Sequence, residues 1–125
     1  MAVDTEARLL ALFENKPELL PLWLELRPAV EQLGPDVHVR PRMVYAEFDR
    51  GGEEFLIAEP TSHRRLEVGL HNPGLPVTAR FRPAHEFGSR RITHRIALPG
   101  TDELDDELRS RIREAYELAL AGAAR

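Results

Sequence analysis

Residues 92–116, ITHRIALPGTDELDDELRSRIREAY, decide the fold of this chain. The first seven alternate as a strand does: Ile92, His94, Ile96 and Leu98 fall on one side, with Thr93, Arg95 and the preceding Arg91 on the other. Pro99-Gly100-Thr101-Asp102 breaks that period. The next residues follow the helical one, with Leu104, Leu108, Ile112, Ala115, Tyr116, Ala119 and Leu120 at spacings of three and four and charged residues between them. Asp105 is the expected N-cap, its short carboxylate placed to accept from the free amides of the first turn. A strand followed by an amphipathic helix needs both apolar faces covered, so the helix is expected on the Ile92, His94, Ile96, Leu98 side. His94 then points into the core as a structural polar residue, its imidazole bonded to a neighbouring strand or helix.

Working outward, the N-terminal part also has helical period. Asp4 or Thr5 caps a helix carrying Leu9, Leu10, Leu12 and Phe13 that ends near Asn15, and Pro17 opens a second with Leu19, Leu22, Trp23, Leu26, Val30 and Leu33. Gly34-Pro35 stops it. Pro28 inside that helix predicts a kink or two helical pieces near Glu25 to Arg27. From Val37 the period becomes two. Val37 and Val39 suggest a short strand ending at Pro41, and residues 44–49 and 54–59 read as a hairpin about Gly51-Gly52. Pro60 to His63 connects to a further strand through Leu66, Val68 and Leu70. Residues 71–90 show no sustained period and read as a long loop pinned by Phe81 and Phe87. The expected fold is α+β: two N-terminal helices, an antiparallel sheet of about five strands, and a long C-terminal helix packed on one sheet face. One domain over 1–125 is expected, helical over 1–36, sheet over 37–98, then helix and a frayed tail.

Composition narrows the chemistry. With no cysteine there is no disulfide framework, thiolate nucleophile or zinc ribbon, and no leader or apolar span is apparent, so a soluble cytoplasmic protein is expected. Net charge is −4 but unevenly spread. Residues 1–36 hold 3 basic and 7 acidic side chains, residues 99–125 hold 4 and 7, and residues 37–98 hold 10 and 7. All ten bases of that middle segment are arginines, suited to bidentate contact with carboxylate or phosphate.

No catalytic constellation emerges. The five histidines lack the close ligand pair a metal site needs, and no serine sits in a nucleophile turn. Glu53-Glu54 and Asp105-Asp106 read as solvated and capping carboxylates. Neither metal nor cofactor is expected. The candidate site is the sheet face away from the helices, where alternation gathers Tyr45, Glu47, Arg65, Glu67, Thr93 and Arg95, with Arg80 and Arg82 on the neighbouring loop and Arg42 before the tyrosine. Arg42, Tyr45, Arg65, Arg80 and Arg95 are the candidate ligand-binding residues, able to clamp an anion or stack a nucleic-acid strand. Cross-strand salt pairs on a wet face explain the same pattern. Three readings follow: a non-catalytic binding module for an anionic partner such as nucleic acid, a protein-interaction or homodimerising module, and an enzyme working through His94 and Tyr45, the least favoured.

The runs Gly34-Pro35-Asp36-Val37, Arg40-Pro41-Arg42 leading to Tyr45, Phe55 to Pro60, Leu66 to Leu70, Thr93-His94-Arg95 and Ala115-Tyr116-Glu117 together resemble domain-of-unknown-function family 5655. The resemblance implies no particular activity. It does imply a retained cation at Arg42, where relatives carry lysine, and a nucleic-acid context, since similar proteins occur attached to restriction-endonuclease-like chains. The layout is also similar to the MmcQ/YjbR proteins, described as DNA-binding with a frataxin-like fold.

Overall fold

The alternating segments form one fully antiparallel sheet of six strands: β1 (Val37–Pro41), β2 (Ala46–Arg50), β3 (Glu53–Ser62), β4 (Arg65–Leu70), β5 (Arg82–Pro83) and β6 (His94–Leu98). The structure is a computed structural model describing residues 2–123. Spatial order is β1-β2-β3-β4-β6-β5, a meander whose last strand inserts between β4 and the two-residue β5. The sixth strand comes from the loop expected to be structureless. Three helices, α1 (Ala2–Ala11), α2 (Leu20–Glu31) and α3 (Asp106–Ala123), complete the fold, with short 3-10 turns at Pro17–Leu19 and Thr101–Glu103.

All three helices bury their apolar stripes in one cluster on one sheet face. Leu9 of α1, Trp23 and Leu26 of α2, and Leu108 and Ile112 of α3 meet Phe48, Leu56, Val68, Ile96 and Leu98 of the sheet. The cluster includes aromatic contacts, Phe13 stacked on Trp23 with centroids 5.4 Å apart and Phe55 edge-on to Tyr116 at 5.8 Å. A polar knot ties the end of α3 to the approach to β1: Tyr116 Oη donates to Asp36 Oδ1 at 2.7 Å, and Arg50 Nε donates to Asp36 Oδ2 at 2.7 Å. The Arg50 guanidinium lies 3.6 Å over the Tyr116 ring. The Arg50 hydrogen bond holds the Asp36 carboxyl below its ordinary range, and burial pushes the Tyr116 phenol up. Asp105 caps α3 as expected, accepting from the Leu108 amide at 3.0 Å.

Several local expectations are corrected. Helix α1 already runs at Ala2, so Asp4 and Thr5 lie inside it, and it ends at Ala11 rather than near Asn15. Helix α2 is a single element through Pro28. Pro28 and Leu24, whose carbonyl loses its ladder partner, both lie on the exposed side, where water can satisfy the oxygen. Strand β3 continues through Pro60 to Ser62, with a register shift between those two residues. Ile92 lies before β6 and joins a cluster on the opposite sheet face. The Leu120 side chain and the end of the expected tail, Ala124 and Arg125, lie outside the described residues.

The β2–β3 hairpin turns on Gly51 and Gly52, with φ of 59° and 88°, the two positive angles of a tight turn that glycine adopts without strain. Asp49 Oδ1 accepts from the Gly52 amide at 3.1 Å and closes it. Next to this turn the register shifts, so that Asp49 pairs with Glu54 but Phe48 with Leu56, leaving Phe55 extra. The bulge lets Phe55 and Leu56 both enter the helix-side core, while Glu54 and Ile57 face the other way.

Candidate functional site

The sheet face away from the helices is roofed in its middle by residues 84–92. Ala84, Phe87 and Ile92 cover Ile57, with Tyr45 packed alongside. Gly69 permits the close approach, since a Cβ there would lie 2.7 Å from Ile92 Cγ2 and 2.8 Å from Ile57 Cγ1. Around this small cluster the face is built from buried carboxylates, each met by arginine or hydroxyl.

Glu67 on β4 is only 4% exposed and sits among three arginines. Arg95 Nε donates to its Oε2 at 2.6 Å, Arg82 Nη2 lies 3.6 Å from the same oxygen, and Arg65 Nη1 is 4.0 Å from Oε1. Arg95 also lies 4.3 Å over the Phe87 ring. Glu47 on β2 accepts from Arg42 through Nε at 3.0 Å and Nη2 at 3.3 Å, with Arg40 Nε 3.6 Å away. Arg40 Nη2 reaches Asp49 at 2.9 Å. Glu54 receives the Ser89 hydroxyl, and Arg91 Nε donates to its backbone carbonyl at 2.9 Å. Burial pushes the Glu54 carboxyl above its ordinary range, and neighbouring Glu47 adds to the push. Burial also opposes ionisation of Glu47, but the hydrogen bonds from Arg42 and from Glu54 outweigh it and hold Glu47 low. The two neighbouring carboxyls are thus driven in opposite directions, Glu54 up and Glu47 down.

The candidate residues therefore divide. Arg42, Tyr45, Arg65 and Arg95 do share the outward face. Arg80 does not: it donates to Glu107 at 2.5 Å, to Asp105 at 3.1 Å and to the Glu103 carbonyl at 2.8 Å, securing the start of α3. Phe81, next to it, is drawn into the helix-side core and turns Arg80 away from the outer face. His94 is 3% exposed, as the alternation predicts, but its Nδ1 is bonded at 2.8 Å to the adjacent Thr93 hydroxyl rather than to a neighbouring strand or helix. Thr93 also donates to the Leu70 carbonyl at 3.1 Å, tying it to the end of β4. Tyr45 belongs to the outer cluster and His94 to the helix side, so the two do not form one site. Glu54, read as a solvated turn residue, is buried at 7% exposure because of the bulge. Among the described residues no three His, Asp or Glu side chains converge on a metal position.

At the margin of this face opens a groove of about 570 Å³ that sequence reasoning missed. It is lined by Arg8 of α1, by Leu12 and Lys16 of the turn after it, by residues 41–44 at the β1–β2 connection, and by Glu59, Pro60 and Thr61 of β3. Arg42 N donates to the Tyr45 carbonyl at 2.8 Å, closing the β1–β2 connection. Burial pushes the Glu59 carboxyl up, partly countered by Arg95. Arg8 and Lys16 make no side-chain hydrogen bond or ion pair to any described residue. Their contribution had no signal in the sequence, because both are single cations on a helix and a turn far from the strand region.

A model of the family described as "Domain of unknown function (DUF5655)" matches residues 11–119. The chain belongs to that family. The match spans α2, every strand and α3 as far as Ala119, and so includes the arginine and carboxylate face. No curated protein and no solved structure matches the chain. Among the described residues no helix is long and apolar enough to cross a membrane.

Proposed function

We propose that this DUF5655 chain is a non-catalytic binding module for an anionic partner, docking at the groove between α1 and the β1–β2 connection. One observation carries the reading: Arg8, Lys16 and Arg42 line that groove with the single carboxylate of Glu59, and Arg8 and Lys16 make no side-chain hydrogen bond or ion pair among the described residues. The sheet-face arginines 65 and 95 contribute less than their sequence suggests, because Glu67 neutralises them within ion-pair distance. Of the original candidates Arg42 is the one common to the face and the groove. Nucleic acid remains a partner class within this reading, although a net charge of −4 opposes tight nonspecific binding. A chain without cysteine suits a reducing cytoplasm.

Fluorescence anisotropy with labelled single-stranded DNA, RNA and an acidic peptide, at roughly 50 and 200 mM salt, tests the reading. Salt-sensitive binding that an Arg8→Glu, Lys16→Glu variant loses and an Arg65→Ala, Arg95→Ala variant keeps is the expected result. Loss in the second variant alone returns the site to the sheet face. No binding at low salt rejects the anionic reading.

A protein partner is the second reading, favoured by Met43, 96% exposed, and Val44, 55% exposed, at the groove wall. Pairing through a sheet edge is less favoured. Edge strand β1 ends in Pro41 and edge strand β5 is two residues long with Pro83. A mass that stays monomeric by light scattering across concentration removes the dimer form of this reading.

A further inference from the structure

We infer that the groove takes a phosphate group carried on a small molecule, and that buried Glu47 is the positioning residue that presents Arg42 to it. The inference rests on the anionic reading above and names the ligand class. Three features of the groove lead there.

First, Arg42 is held rather than free. Its Nε and one Nη2 hydrogen are taken by the two oxygens of Glu47, which engages one edge of the guanidinium and leaves Nη1 with the far side of Nη2 as a second donor fork. The Arg42 side chain is 49% exposed, so that second fork is open to a ligand. Glu47 cannot easily drift, being 7% exposed, with Arg40 at 3.6 Å and Glu54 against it, and Glu54 is secured by Ser89. A carboxylate behind an arginine orients the fork before the ligand arrives and lowers the ordering cost of binding.

Second, three cations line one groove: Arg8 and Lys16 add fork and point donors to Arg42, and Glu59 is the one carboxylate in the lining. Of the arginines on the sheet face, Arg40, Arg91 and Arg95 are paired with Asp49, Glu53 and Glu67, while Arg64 and Arg65 past Thr61 are exposed, so the oligonucleotide arm of the test below decides between a single phosphate and a longer polyanion.

Third, the wall that carries Arg42 continues into the exposed apolar side chains of Met43 and Val44. They offer a ledge for the ring or chain bearing the phosphate, and a space of about 570 Å³ is of small-ligand size.

The test is an NMR titration of the ¹⁵N-labelled protein with inorganic phosphate, AMP and adenosine. Phosphate and AMP should move the same amides near 8–16 and 42–44 and compete, with AMP tighter and adenosine inert. Arg42→Ala should weaken AMP about tenfold and Arg42→Lys, which keeps the charge without the fork, roughly threefold. Glu47→Gln should weaken it roughly threefold in the parent, shift the Arg42 Hε resonance, and cost nothing further on top of Arg42→Ala.

Additive losses in that double variant would make Glu47 merely structural and overturn its positioning role. Adenosine binding as well as AMP would overturn the phosphate assignment. An oligonucleotide or acidic peptide that binds the groove while AMP does not would also overturn it, leaving the anionic reading standing; no binding by any anion would overturn both.

Discussion

The two faces of the sheet are both substantially buried, and by opposite means. On the helix side, Phe48, Leu56, Val68 and Ile96 are covered by apolar stripes of three helices. On the other, a short segment lays Phe87 and Ile92 over Ile57, and the surrounding area is closed by Glu47, Asp49, Glu54 and Glu67 with their arginines. The first arrangement draws its stability from area removed from water. The second withdraws charges from water and recovers the cost only through paired geometry, which makes it a weak source of stability and a strong constraint on where side chains point. That difference separates the arginines: those in the middle of the outer face are held by carboxylates, and Arg42 at its margin is the one that also lines the groove.

Substitutions can break or sharpen this contrast. The largest effect is expected on the helix side, where Phe48→Ala should cost about 3 to 5 kcal/mol in denaturant unfolding. A cost below that of any outer-face substitution would invert the comparison. Glu67→Ala, which leaves Arg95 and Arg82 facing each other without their shared carboxylate, should cost about 1 to 3 kcal/mol, and unchanged stability would show that water already screens this cluster. His94→Ala should cost a similar 1 to 3 kcal/mol or so through the lost buried imidazole, and an unchanged melting temperature would count against its structural role.

Acid and base should separate the faces further. The Glu54 carboxyl is raised above 4.5 chiefly by burial, so the folded protein holds that proton more tightly than the unfolded chain does. Its contribution is full below about pH 4.5 and is lost as pH rises through the folded value; Glu59 behaves alike. Glu47, held below 4.5, runs the other way and loses its contribution on acidification. Glu54→Gln should therefore gain stability relative to the parent as pH rises from about 4.5 toward neutrality, and parallel stability curves for the two proteins would refute the burial of that proton. The smallest effect belongs to neither face: Arg27, bidentate to Glu6 at 2.7 Å across α1 and α2, should cost no more than about 1 kcal/mol on change to Ala, diminishing with salt.

Much of the architecture was legible because period is a local property. The stripe from Leu104 to Ala119, the Gly51-Gly52 hairpin, the Asp105 cap and the inward His94 all follow from spacing along the chain, and each stands in the structure. The errors share a cause. Glu54 and Ile92 were misassigned because a bulge and an early strand end shift the alternation, and neither announces itself in residue type. Arg80, expected on the loop beside the sheet face, lies apart from it because Phe81 next to it packs into the helix-side core, a choice of face that residue type does not encode.

By itself the sequence determined that this chain forms an α+β fold with one helix-covered antiparallel sheet face, and that its arginines concentrate among the strands, since hydrophobic period and composition are written residue by residue. Only the tertiary structure decided which arginines are spent on buried carboxylates and which stand free. That outcome depends on distances between side chains 5 to 28 or more positions apart, such as Arg42 to Glu47 and Arg95 to Glu67, and on a groove whose cations come from α1, the turn after it and the β1–β2 connection.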